Sequence, residues 1–374
     1  MNLTITDRLF VWLSQCFESS PRQAMDLVEA NGGIEQLHRN VSSGKLVSNR
    51  ELSRDKYALL TNNSPMPLID DYIELLSRND VFPLTMANEL YPDLLREIYD
   101  PPLVLYCRGN YEVLNENFLF SVIGSRHCTE YGEQMTKFFS SQLAHGGMTI
   151  VSGLAYGCDA YASRAALDSS SSILPTVAVL GQGVCVRKND STAKLMEEII
   201  ERGLVISEML PFSRATKYSY PMRNRIISGI SNGLLVVEAG SKSGTMITAN
   251  AAIDQNRMVF AVPGRLTDMM SAGTNSLLQM GMAQPVYGPE DIFDYYRMDF
   301  QGMSLNCEKE NIEKMIQNMT QEQKLVYDLL VHGEKSFDSL CELSGWSIEK
   351  LNLCLTEMEF SGLIKQLPGR VYSV

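Results

Sequence analysis

Four short loops in the 374-residue chain combine glycine with small hydroxyls, a glutamine or a cation. They are Gly124-Ser125-Arg126, Ser152-Gly153-Leu154-Ala155-Tyr156-Gly157, Gly181-Gln182-Gly183 and Gly240-Ser241-Lys242-Ser243-Gly244-Thr245. Glycine admits close backbone approach, and the free amides at a helix N-terminus bind anions. The hydroxyls and Lys242 add donors without filling the space. A fifth stretch, Tyr220 to Ser231, reads YPMRNRIISGIS and sets Arg223 and Arg225 on either side of Asn224. A helix beginning at Pro221 places both arginines near its positive end, where cations are disfavoured unless an anion is bound there. The chemistry these residues suit is the grip of a polyanion by Arg126, Arg223, Arg225, Lys242 and loop amides. A competing reading has the two arginines simply neutralise Glu208 and Glu238. Phe212, Tyr218 and Tyr220 lie beside the arginines and suit base stacking and core packing equally.

Several other chemistries lack their signatures. No GxGxxG follows the first strand of the central region, and Lys242 precedes its glycine, so neither a dinucleotide fingerprint nor a triphosphate P-loop is present. Ser152 is not in a GxSxG elbow. The four histidines form no metal-ligand spacing with carboxylates or cysteines. No metal and no cofactor are therefore expected. The eight cysteines (16, 107, 128, 158, 185, 307, 341 and 354) are scattered without a CxxC pair. They read as free thiols in a reducing cytoplasm. No apolar run approaches the length of about 18 residues that a membrane helix needs, and the N-terminus lacks a signal-peptide pattern.

The elements that must position these loops follow from hydrophobic patterning. From Phe118 onward, FLFSVIG, MTIVSG, PTVAVLG, GLVIS, GLLVVEAG and MVFAVPG alternate with helical stretches. The strand segments are apolar on both parities, as parallel strands covered on two faces must be. Strand–helix alternation implies right-handed crossovers in a doubly wound α/β sheet, with the glycine loops gathered at the carboxyl edge. Before it, residues 1–75 read as short helices, and a linker-like segment runs through FPLTMANELYPDLLREIYDPPLVLYCRGN. After it, residues 291–317 read as a linker. Residues 318–374 give three amphipathic helices and two short strands around Pro368-Gly369, a winged helix. The large middle domain spans 76–290.

The net charge of −12 hides an asymmetry. Residues 120–265 hold 14 Lys+Arg against 11 Asp+Glu, while the remainder holds 18 against 33. The middle of the chain is thus positive relative to its flanks, which favours a nucleic-acid partner there. The winged helix is the reverse, with 5 Lys+Arg against 8 Asp+Glu. Its third helix carries Lys350 against Glu349, Glu357 and Glu359, so protein contact or a structural role is expected of it rather than a grip on duplex phosphates.

Taken in order, VIGSR, Tyr131-Gly132, IVSGLAYGCD, VAVLGQG, YPMRNRIISG, VVEAGSKSGTMITA, FAVPG and AGTNSLL resemble the DNA-processing protein A family (DprA, also called Smf). The resemblance covers most of the chain and implies an extended Rossmann-like domain with a mostly parallel sheet. It also implies a helical N-terminal domain, SAM-like or helix-hairpin-helix-like, and a C-terminal winged-helix domain. The implied activity is not enzymatic: single-stranded DNA is bound, protected and handed to a RecA-type recombinase during natural transformation, usually by a homodimer. Carried over by motif, Gly124, Ser125 and Arg126, then Ser152, Gly153 and Gly157, match the first two phosphate-binding loops. Arg223, Asn224 and Arg225 match the RNR motif, and Ser243, Gly244 and Thr245 the last loop. Three departures stand out. Ala162-Ser163 replaces Ala-His and Arg187-Lys188 replaces Tyr-Pro, both expected at the rim, and no clear glycine-rich hairpin turn marks the N-terminal helices. The alternative is a nucleotide-binding or phosphoribohydrolase-type enzyme. Those enzymes carry a glutamate where this chain has Thr248, and a hydroxyl cannot supply a carboxylate's charge.

Overall fold

The computed structural model describes residues 3–18, 20–48, 52–170, 172, 174–187, 191–298, 319–331, 333–360, 363–367 and 369–373. Lys188, Cys307, Pro368 and the expected linker beyond residue 298 lie outside these. The chain divides into two compact units, Met1–Gly302 and Met303–Val374.

The first unit opens with five helices: α1 (Ile5–Cys16), α2 (Pro21–Ala30), α3 (Ile34–Ser42), α4 (Arg54–Asn62) and α5 (Met66–Arg78). Thr4 starts α1 with a reciprocal capping box, its side chain taking the Asp7 amide while Asp7 takes the Thr4 amide. The sheet then forms from β1 (Phe82–Thr85), β2 (Val104–Gly109), β3 (Phe118–Ile123), β4 (Met148–Ser152), β5 (Thr176–Val179), β6 (Leu204–Ser207), β7 (Gly233–Val236), β8 (Met258–Ala261) and β9 (Gln284–Pro285). Between them lie α6 (Asp93–Arg96), α7 (Glu130–His145), α8 (Cys158–Ser169), α9 (Ala193–Arg202), α10 (Ser219–Ile230), α11 (Gly244–Asp254) and α12 (Ala272–Gln279), with α13 (Glu290–Tyr296) following β9.

The nine strands lie in the order β1-β2-β6-β5-β4-β3-β7-β8-β9. From β6 to β9 every pair is parallel, while β1–β2 and β2–β6 are antiparallel. The six strands read from the sequence all form. The segment read as a linker instead supplies β1 and β2, which widen the sheet beyond β6. Pro83 fits because β1 is an edge strand, where a missing amide breaks no ladder. Strands β4 to β7 are buried on both faces, as their two-sided apolar patterns require.

Helices cover both faces. On one, Phe139 and Leu143 of α7 and Ala162 and Ala166 of α8 pack on Phe120, Val122 and Ile150. On the other, Ile226, Ile227 and Ile230 of α10 and Ala249 and Ala252 of α11 pack on Ile123, Val151, Val179 and Val236. The N-terminal helices share one apolar cluster with the sheet, since Trp12, Leu13, Leu60 and Leu76 join Tyr106, Ala178 and Val205. Polar ties reinforce it: Ser14 Oγ lies 2.8 Å from Tyr106 Oη, and Glu18 accepts the Leu210 amide at 2.8 Å.

The second unit has helices Gln321–Val331, Phe337–Ser344 and Ile348–Phe360 over a core of Val326, Leu330, Leu340, Leu351 and Leu355. Its strands Lys365–Leu367 and Val371–Ser373 are joined by a third, Lys335–Ser336, in a winged-helix arrangement. Lys350 is engaged by Glu322 at 2.5 Å and lies over the Trp346 ring. The basic residue of the third helix is thus paired within its own module, though it stays exposed. No helix among the described residues is long and apolar enough to cross a membrane.

Candidate nucleic-acid interface

Strand β3 lies between β4 and β7, and the chain winds outward from it in both directions. Loops leaving β3 and β7 therefore part at their carboxyl ends and leave a crevice, the usual ligand position in open α/β sheets. Two adjoining cavities occupy it. One of about 410 Å³ is bordered by Gly124, Ser125, Asn224, Ser243, Gly244 and Thr245. The other, about 230 Å³, is bordered by Gly153, Tyr156, Gln182, Arg187 and Thr192. Arg126, Ala155, Tyr220 and Arg223 border both, so the two form one groove across the edge.

The loops meet closely where glycine is required. A Cβ on Gly124 would collide with the Cys158 side chain, and one on Gly157, at φ +75°, would collide with the Ser125 carbonyl. Gly157 holds the loops together but borders neither of the two cavities. Gly244 differs, because a side chain there would meet nothing within 4 Å. Thr245 Oγ1 donates to the Gly124 carbonyl at 2.9 Å, and Ser125 Oγ accepts the His127 amide at 3.0 Å. Both hydroxyls thus order the first loop while their residues border the larger cavity.

Three expectations need correction, and Lys242 stands apart from the groove. Ser152 is fully buried and donates to the Val122 carbonyl at 2.8 Å, so its hydroxyl braces two strands and does not enter the groove. Ser163 is fully buried within α8 and is not a rim residue. Lys242 is exposed yet borders neither cavity. The largest change concerns the arginines. Helix α10 begins at Ser219, two residues before Pro221, so Arg223 and Arg225 fall in its second turn. Residues two apart on a helix point about 200° apart, so both cannot face one ligand.

The two arginines therefore part. Arg225, 8% exposed, donates Nε to Asp100 at 2.8 Å and Nη2 to both Glu208 oxygens at 2.7 and 2.9 Å. Burial pushes the Glu208 carboxyl up to about 7, with the Arg225 guanidinium pulling the other way. This pair is structural. Arg223, 6% exposed, points to the groove floor, where Nη1 binds the Gly153 and Val179 carbonyls while Nε has no partner. Burial lowers its pKa, opposed chiefly by Asp159. Glu238, the second suspected partner, accepts from Thr129 and meets no arginine among the described residues.

Arg126 is exposed at the junction of the cavities, its guanidinium 5.3 Å from the Tyr220 ring centroid. Phe212, Tyr218 and Tyr220 are 50%, 70% and 39% exposed, which removes the core-packing reading and leaves three rings available at the surface. Tyr220 borders the groove; the other two flank it in a loop that also exposes Arg214 and Lys217.

Sequence reasoning gave no role to Asp159 and Thr192, and named Tyr156 and Gln182 only as parts of their loops. The signal for Asp159 was its place in YGCD, second in a helix opened by Gly157. It accepts the Gly153 amide at 3.2 Å and the Ala155 amide at 3.4 Å, and burial raises its pKa against the pull of Arg223. It thereby engages amides that an anion would otherwise take. Helix α7 likewise has Glu238 at its cap. Helix α11 is different: its first turn holds no acid, and the buried Ser243 Oγ has no partner. Of the helix starts that follow β3, β4 and β7, that of α11 is therefore the one no carboxylate fills.

Residues 83–297 match the sequence model of DNA recombination-mediator protein A, and residues 316–370 that of the DprA winged helix domain. DNA processing protein DprA of Bacillus subtilis is 36% identical over 211 residues, covering 56% of this chain and 70% of that protein. A crystal structure of DNA processing protein A from Streptococcus pneumoniae superposes with a TM-score of 0.65 at 28% identity, over 80% of this chain and all of that one. A structure of DNA processing protein A from Helicobacter pylori, described for its single-stranded DNA binding mode, gives 0.52 at 30% identity over 58% of this chain and 95% of that one.

Proposed function

The chain belongs to the DNA recombination-mediator protein A (DprA/Smf) family, and on that premise we propose that its groove binds single-stranded DNA without sequence preference. The observation that carries this is the pairing of Arg126 with the half-exposed Tyr220 ring where the two cavities meet. A cation beside a half-exposed aromatic ring suits a phosphate next to an unstacked base. Duplex DNA keeps its bases stacked and cannot present one to Tyr220. Ser243 and the amides at the start of α11 hold a neighbouring phosphate, with Lys242 adding charge from outside the cavity. Gly124, Ser125, Gly153, Asn224, Gly244 and Thr245 shape the walls, while Arg223 holds the floor and adds positive potential. Phe212 and Tyr218, with Arg214 and Lys217, extend the stacking surface beyond the groove.

The bound strand is protected and passed to a RecA-type recombinase during natural transformation, and the working form is a homodimer in the cytoplasm. The role is binding rather than catalysis. The carboxylates at this edge are engaged, Glu208 by Arg225, Glu238 by Thr129 and Asp159 by amides, and Thr248 stands where a hydrolase would place its glutamate.

The test is a salt titration of fluorescent oligothymidine and of a matched duplex. Single strands are expected to bind more tightly, with log K falling against log salt at a slope of about −2, as for three phosphate contacts. Equal affinity for the duplex, or a flat salt response, sinks the assignment. Faster recombinase filament growth on strands precoated with single-strand binding protein tests the handover.

A further inference from the structure

Glu238 is 1% exposed and follows β7 at the crevice, with no Lys or Arg within ion-pair distance among the described residues. A buried carboxylate without a counter-cation needs strong donors. It finds two on one residue, the Thr129 amide at 2.8 Å and Thr129 Oγ1 at 2.6 Å. Thr129 in turn caps α7, accepting the Gly132 amide at 3.1 Å. Gly132 carries no side chain because a Cβ there would strike the Glu238 carboxylate. The positive end of a 16-residue helix further stabilises the charge.

Thr129 ends the loop that begins at Gly124 and carries Arg126. Neutral contacts secure the start of that loop: Thr245 Oγ1 on the Gly124 carbonyl, and the Cys158 amide on the Ser125 carbonyl at 3.1 Å. Glu238 secures the other end by two charge-assisted bonds, stronger than neutral ones. Resting on the DNA-binding reading above, we propose that Glu238 is a positioning residue. Through Thr129 it fixes where the Arg126 guanidinium stands over the groove, and so sets phosphate affinity without touching DNA. The carboxylate also fills the N-terminus of α7, which turns the anion toward α11.

The experiment uses the full chain and oligothymidine. Glu238→Gln keeps the shape but offers the Thr129 amide either a weaker acceptor or an opposing N–H. It is expected to weaken binding about tenfold, 1.4 kcal/mol by the usual conversion, and to reduce the salt slope by about 0.7. Arg126→Ala added to Glu238→Gln is expected to weaken binding little further, because the two act through one contact. Thr129→Val is expected to reproduce the loss and Thr129→Ser to restore most of it, which keeps the test available if Glu238→Gln fails to fold. A purely structural role lowers the melting temperature while leaving the slope and the additivity with Arg126→Ala intact, and that result overturns the proposal. Failure of the unmutated chain to bind oligothymidine instead overturns the DNA-binding reading itself.

Discussion

Arg126→Ala is expected to weaken oligothymidine binding at least tenfold, reduce the salt slope by about 0.7, and leave thermal stability unchanged. Arg126 is exposed, and it is the cation that borders both cavities without being buried. Its loss removes one phosphate contact and the guanidinium beside the Tyr220 ring, so the base-stacking face loses its fixed neighbour. Arg126→Lys separates these effects. It keeps a point charge but not the planar fork, so the slope is expected to stay while affinity falls only in part. Fluorescence anisotropy at four or five salt concentrations reads both quantities. A slope identical to the unmutated chain removes Arg126 from the phosphate site.

Arg225→Ala is expected to act on the other side of the argument, lowering unfolding free energy by about 3–5 kcal/mol, since it strands a buried carboxylate. The Glu208 carboxyl is 7% exposed and accepts two bonds from Arg225, while Asp100 loses its partner as well. The pH dependence has a definite sign. Burial already raises the Glu208 carboxyl from 4.5 to about 7 against the pull of Arg225. Without that pull it rises further. A carboxyl raised in the fold contributes stability below its unfolded value and loses it as pH climbs through the folded one. The deficit of Arg225→Ala should therefore widen as pH rises above about 7, as urea denaturation at pH 6 and pH 8 would read. A variant as stable as the parent but with a flatter salt slope would place Arg225 on DNA after all.

The contrast between these residues shows what the sequence could and could not carry. The strand segments were legible because two-sided burial leaves no polar parity, and the glycine loops were legible because close approach admits nothing larger. The expectation that Arg223 and Arg225 face one ligand together fails for Arg225. Their spacing of two, with a turn of 3.6 residues, already forbids a shared direction, and the residues themselves contained that information. The start of α10 at Ser219 was not legible, since Pro221 is an equally good first-turn residue and Ser219 makes its turn bonds with Thr216. Strands β1 and β2 were hidden by Pro83, Pro101 and Pro102, which mark breaks; only long-range pairing with β6 shows that the segment belongs to the sheet. The engagement of Ser152 by a neighbouring strand, and of Asp159 by loop amides, likewise depends on partners distant in space or on a turn whose shape no local pattern dictates.

The N-terminal helices and the sheet form one mechanical unit although the family model matches only part of it. The matched family region begins at residue 83, yet Trp12, Leu60 and Leu76 complete the hydrophobic layer over Tyr106, Ala178 and Val205. A fragment cut at residue 83 would uncover an apolar flank over β2, β6 and β5, inviting aggregation. In this chain the helices and the sheet share one apolar seam, so a cut or exchange along it must carry both sides together.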